Sequence, residues 1–104
     1  MRFESVNLTD ALVCDISKQG WRGAQITVSF NGTYTGGTIA WSATAVGGTA
    51  ENITSDGTTQ ITTTTTNKGV VTVLGCNLSS VTATPSGITG TATGYTVTIE
   101  EAKL

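Results

Sequence analysis

The stretch QITVSFNGTYTGGTIAWSATA, Gln25 to Ala45, decides the fold. Ile26, Val28, Phe30, Gly32 and Tyr34 share one parity, and Ile39, Trp41 and Ala43 share another. Side chains alternate across a strand, so each set lines one face. A turn at Gly36-Gly37 sets Tyr34 opposite Ile39, Gly32 opposite Trp41 and Phe30 opposite Ala43. The apolar sets then meet on one side of a hairpin, with the Trp41 indole over the bare backbone of Gly32. Asn31-Gly32 is the stronger two-residue hairpin signal. A turn there would set Phe30 against Thr33 and Val28 against Thr35, and would strip the apolar face of its partners. The stretch therefore predicts two long paired strands turning at Gly36-Gly37, with Trp41 in the core.

Upstream, Leu12, Cys14 and Ile16 alternate with Val13 and Asp15, which predicts a strand with the first set inward. Ser17–Gly23 is a glycine-bounded loop carrying Trp21 and Arg22. Met1–Asn7 is an arm or a first short strand, with Phe3 and Val6 as apolar anchors. Downstream, a three-residue turn at Gly47-Gly48-Thr49 sets Ala43 opposite Ile53 on a short strand, Glu51–Thr54. Ser55-Asp56-Gly57 has turn composition. Thr58–Thr66 predicts a polar edge strand with Ile61 as its one apolar anchor, and an open edge can also pair with a partner. Asn67-Lys68-Gly69 is a further turn. Val70–Leu74 is apolar on both parities, so it is either central and covered on both faces or its outer face meets another subunit. Leu78–Thr84 turns Val81 and Ala83 inward, and Pro85–Thr93 reads as a loop. Gly94–Glu101 turns Tyr95, Val97 and Ile99 inward, and the chain ends in a charged tail of Glu100, Glu101 and Lys103. Seven or eight short antiparallel strands with no helical period predict one all-β sandwich over residues 1–104, with residues 1–7 as an N-terminal arm.

A chain of 104 residues supports one core. Charged residues are 12% and the net charge is −2. Arg2, Lys18, Arg22, Lys68 and Lys103 are scattered, which argues against a nucleic-acid footprint or a basic membrane patch. Polarity comes instead from threonine, about a fifth of the chain, a residue that favours strands while staying polar. No run is long enough to span a bilayer. Met1–Asp10 lacks the apolar core of a signal peptide. An immunoglobulin-type bridge between Cys14 and Cys76 would want a tyrosine where Leu74 stands, so two free, buried thiols are expected.

The chemical inventory is thin. There is no histidine, which removes the commonest general base and most zinc sites. The acid pairs Glu51 with Asp56 and Asp10 with Asp15 sit near turns, where solvated carboxylates are ordinary. Asp56 lacks the acidic run that a calcium loop uses. The expectation is a protein that is not an enzyme and holds no cofactor or metal. Four Asn-x-Ser/Thr triplets occur, at Asn7, Asn31, Asn52 and Asn77; in a threonine-rich chain chance accounts for them. Trp21 beside Arg22 has three readings: a plug for one end of the sandwich, a protein-interface anchor, or a sugar-stacking platform.

Three motifs, Gly32-Thr33-Tyr34-Thr35-Gly36-Gly37-Thr38-Ile39, then Gly47-Gly48-Thr49, then Thr96-Val97-Thr98-Ile99, resemble a family of small structural proteins of tailed phages. The resemblance covers roughly residues 20–100. That family often has a tryptophan just after the second GGT, where this chain has Ala50 and Glu51, and Trp41 is placed to fill the equivalent core volume. The resemblance implies an immunoglobulin-like β-sandwich and a non-catalytic virion component made in the host cytoplasm. Its foremost reading is a capsid decoration, cement or head accessory protein. Such a protein binds the major capsid or other virion proteins and self-associates, with a trimer among the arrangements open to it. The residues expected at the interface are Phe3, Trp21, Arg22, Val70 and Thr72. The alternative is a glycan-binding or host-adhesion module of a fibre or tail, with Trp21 and Tyr34 as stacking platforms. Neither reading involves nucleic acid or membrane.

Overall fold

The computed structural model describes residues 1–64, 69–73 and 77–102. Asn67-Lys68, Leu74, Cys76 and Lys103 lie outside the described residues. Among those described are nine strands and no helix: β1 (Arg2–Ser5), β2 (Leu12–Asp15), β3 (Gly23–Asn31), β4 (Tyr34–Ala45), β5 (Ala50–Asn52), β6 (Thr62–Thr63), β7 (Gly69–Val73), β8 (Leu78–Gly90) and β9 (Gly94–Glu101). All pair antiparallel, in two sheets. The first runs β1-β9-β3-β7; the second runs β2-β8-β4-β5, with β6 also on β4. In the immunoglobulin arrangement the last two strands lie side by side in one sheet. Here β8 and β9 lie in different sheets, with β9 between β1 and β3.

The core forms between the sheets, from the alternating sets that the sequence marks. Ile26, Val28, Tyr95, Val97 and Ile99 come from the first sheet; Cys14, Ile39, Trp41, Ala43, Val81 and Ala83 come from the second. All of them are buried. Phe3, Trp21, Phe30 and Ile61 pack half-buried against this cluster. Val6 anchors nothing and is 92% exposed.

The predicted hairpin does not form. β3 and β4 belong to different sheets. The chain crosses between them at Gly32, whose φ is +103°, at the position rejected on register grounds. The apolar sets of β3 and β4 do meet, but across the sandwich. Trp41 is fully buried, yet its cross-strand mate is Ala83 on β8 and not Gly32. Gly36-Gly37 lies inside β4, where the chain runs against Gly87–Gly90 of β8. A Cβ on Gly37 would stand 2.6 Å from the Gly87 carbonyl oxygen, and one on Gly90 would stand 2.2 Å from that of Thr33. These glycines let two backbones approach closely through register shifts in the β4–β8 pair.

Three further expectations are corrected. Ala43 faces Glu51 and not Ile53, because β5 begins at Ala50. Pro85–Thr93 is largely strand: β8 continues through a buried Pro85 to Gly90. Proline is tolerated there because β2 pairs only with Ser80–Ala83, so Pro85 has a neighbour on one side alone. Thr58–Thr66 is strand only at Thr62–Thr63 within the described residues, and its buried residue is Thr63. The Trp41 indole Nε1 donates to Thr63 Oγ1 at 2.7 Å, inside the core. The main chain of Trp41 is held too: its N–H donates to Ile61, and its carbonyl accepts from Ile53 N–H and Gln60 Nε2. Trp41 thus ties the β5–β6 segment to the sheet.

Candidate functional site

Alternation that sends Ile39, Trp41 and Ala43 inward sends Thr38, Ala40, Ser42 and Thr44 outward on β4. On β8 it sends Ser80, Thr82, Thr84 and Ser86 outward. The register sets these sets side by side: Thr38 with Ser86, Ala40 with Thr84, Ser42 with Thr82, Thr44 with Ser80. Rows extend to both edges, as Asn52–Ser42–Thr82–Val13 and as Ala50–Thr44–Ser80–Asp15. The outer face of the second sheet is therefore a field of short side chains, hydroxyl-bearing at its centre on β4 and β8 except at Ala40. Asp15 stands at its margin, where the Ser17 N–H bonded to its carboxylate, and more weakly the charge of nearby Lys18, hold the pKa below the ordinary range. Such a face loses little on contact. Hydroxyls cost far less to desolvate than charges when a partner hydrogen bond replaces water. Short side chains also surrender little rotamer entropy.

The first sheet's outer face differs. It carries Arg2 paired with Glu4 at 2.9 Å, together with Glu100, Gln25, Thr27 and Thr98 around a shallow hollow of about 210 Å³. A larger cleft, about 490 Å³, opens between the sheet margins at β5 and β7. Ala43, Glu51, Ile53, Thr58, Val71 and Thr72 line it.

The acids flagged in the sequence serve turns. Asp56 Oδ1 accepts from the N–H groups of Thr59 and Thr58, and these bonds depress its pKa to about 2. Asp10 accepts from Asn7 Nδ2. Among the described residues, no three of His, Cys, Asp and Glu come close enough to hold a metal. Cys14 is buried as a free thiol, its pKa pushed up to about 12 by that burial. The Tyr95 hydroxyl is enclosed without a hydrogen bond of normal geometry; burial raises its pKa, and Ser5 partly offsets the effect.

The predicted interface residues do not form one surface. Phe3 packs inward from β1, at one margin of the first sheet; β7 is the other margin. Trp21 leans on the core while its carbonyl accepts from Leu78 N–H. Arg22 beside it is exposed. Val70 and Thr72 turn inward and are only 3% and 6% exposed, so neither offers itself to a partner. β7 is not central either; it is an edge strand on β3. Among its described side chains Val71 is exposed, at 54%. The signal for Val71 was present, since VVTVL is apolar on both parities, but the choice of parity needed the register. As sugar platforms, Trp21 and Tyr34 are largely occupied. Tyr34 stacks on Phe30 with ring centroids 4.7 Å apart and planes 8° from parallel, and its hydroxyl donates to the Gly37 carbonyl.

No family model matches the chain. A search of curated proteins also finds no match. Among solved structures, the fold is similar to that of the SPBc2 prophage-derived protein YomS. The TM-score is 0.52 and the identity 16%, with 96% of each chain covered. At that identity the likeness concerns the fold.

Proposed function

We propose that this chain is a bacteriophage structural protein, a capsid decoration or head accessory protein. In this reading it docks on capsid subunits through the hydroxyl-rich outer face of the second sheet. The observation that carries the reading is the shared fold with a prophage-derived protein along nearly the whole of both chains. The phage-like motifs at Gly32–Ile39, Gly47–Thr49 and Thr96–Ile99 point the same way. The hydroxyl field centred on Ser42 and Thr82 supplies a surface of short side chains with little charge at its centre, and interface cores are depleted of charge. The chain would be made in the host cytoplasm and act in the virion.

The test is co-sedimentation of the recombinant protein with particles purified from the phage that encodes it. Wild type is expected in the pellet at saturable occupancy. Ser42→Lys with Thr82→Lys places two like charges in the middle of the face, and this variant is expected in the supernatant. Wild type that never pellets with particles would refute the proposal, and a double variant that pellets like wild type would refute the choice of face.

A further inference from the structure

We propose that β7 is a homotypic docking edge. Two copies of this chain pair their β7 strands antiparallel, about a two-fold axis that passes between the two Val71 residues, normal to the sheet. This joins two four-stranded sheets into one continuous sheet. The inference is independent of the phage reading, since it concerns only this chain and a second copy of it.

Edge strands expose unpaired backbone N–H and C=O groups, and natural proteins guard them with charge, proline, bulges or shortness. The other margins of this sandwich are guarded. β1 carries Arg2 and Glu4, β2 carries Asp15, β5 carries Glu51, and β6 is two residues long. β7, Gly-Val-Val-Thr-Val, has no charge and no proline, pairs evenly with β3 over all five residues, and holds Val71 54% exposed. Of the described strands that end a sheet, it is the one longer than two residues that carries neither charge nor proline.

The charge pattern selects a second copy as the occupant. Pairing about a two-fold axis sets each residue against itself or its mirror position. At β5 that sets Glu51 against its own copy, and like charges opposed across strands are destabilising. At β7 it sets Val71 against Val71, Val70 against Thr72 and Gly69 against Val73. Parity is preserved: the buried Val70 and Thr72 continue the inner face, and the two exposed Val71 side chains cover one another on the outer face. Antiparallel pairs alternate between hydrogen-bonded and non-hydrogen-bonded positions. A register centred on Val71 therefore satisfies whichever set of backbone groups faces outward. The cleft lined by Val71, Thr72, Ala43 and Ile53 lies on the same side of the molecule, so a second copy also comes to lie over its mouth. A net charge of −2 opposes the approach only weakly. Five residue pairs make a smaller contact than a standard permanent interface, so the dimer dissociates on dilution.

Sedimentation equilibrium over a concentration series tests this with wild type, Val71→Lys and Val13→Lys. Val13 is a comparably exposed valine, at 62%, on an edge of the other sheet. Wild type and Val13→Lys are expected to show the same monomer–dimer equilibrium, and Val71→Lys to stay monomeric with a wild-type circular dichroism spectrum. Should Val71→Lys misfold, Val71→Cys in a Cys76→Ser background decides: a mild oxidant should link two copies at position 71, and Val13→Cys in that background should stay unlinked. Wild type that is monomeric at every concentration, a trimer, or a dimer insensitive to Val71→Lys would overturn the proposal.

Discussion

Replacing Thr63 by valine isolates the bond that ties the β5–β6 segment to the core. Valine keeps the shape of threonine and removes the acceptor. The Trp41 indole N–H is fully buried and donates to Thr63 Oγ1 at 2.7 Å. The ring cannot swing out to find water, because the Trp41 main chain is held by Ile53, Ile61 and Gln60. The N–H is then left without an acceptor, which costs about 1–3 kcal/mol. The added methyl returns a fraction of that through apolar burial, so a net loss of about 2 kcal/mol is expected. With a urea m-value of about 1–3 kcal/mol/M for a small domain, the unfolding midpoint should fall by about 1 M. Thr63→Ser keeps the hydroxyl and loses one methyl, about 0.8 kcal/mol, and should be the milder change. Urea titration followed by circular dichroism reads both variants. A Thr63→Val protein as stable as wild type, or more stable than Thr63→Ser, would refute the assignment of Thr63 as the acceptor that holds Trp41.

Gly90→Ala should destabilise by about 3 kcal/mol, combining left-handed strain with overpacking, since its Cβ would meet the Thr33 carbonyl at 2.2 Å. Gly47→Ala has the same sign of φ but open space around it, so thermal melts should show a loss of only about 1 kcal/mol. The Cys14 thiol should resist iodoacetamide in the folded protein and react after denaturation. Its folded pKa of about 12 lies above the ordinary 9.0, so its contribution to stability is intact below pH 9 and is lost as pH rises toward 12. Asp56 has the opposite sign. Its folded pKa of about 2 lies below the ordinary 3.8, so its turn is stabilised above pH 3.8 and loses that support as pH falls toward 2. Asp56→Asn should flatten that part of the acid denaturation curve.

What the sequence made legible was which side chains turn inward. Alternation is a local property, and it placed Ile26 and Val28, Ile39 to Ala43, Leu12 and Cys14, and Tyr95 to Ile99 correctly. Pairing is not local. A hairpin at Gly36-Gly37 and a crossing between sheets at Gly32 both send the apolar sets of β3 and β4 into one interior, so alternation cannot separate them. The reason for Gly37 and Gly90 lies in a close approach between β4 and β8, whose residues are some fifty positions apart in the chain. Pro85 looked like a loop because its tolerance depends on where β2 stops. Ile61 looked like the anchor of the threonine run because hydrophobicity hides the role of Thr63, a polar residue buried through its bond to Trp41. For the candidate site, the apolar character of Val70–Leu74 was visible. Its position at a sheet margin, which leaves Val71 exposed, was not. The hydroxyl field was latent in the threonine content, but it becomes one surface only through the β4–β8 register.

The proposed function requires this chain to belong to an assembled particle. Quantitative mass spectrometry of particles purified from a phage that encodes this chain, measured against the soluble fraction of the same lysate, tests the proposed function directly. This chain is expected in the particles at many copies each, scaling with the major capsid protein across preparations. Particles free of the chain, with all of it recovered in the soluble fraction, would contradict it.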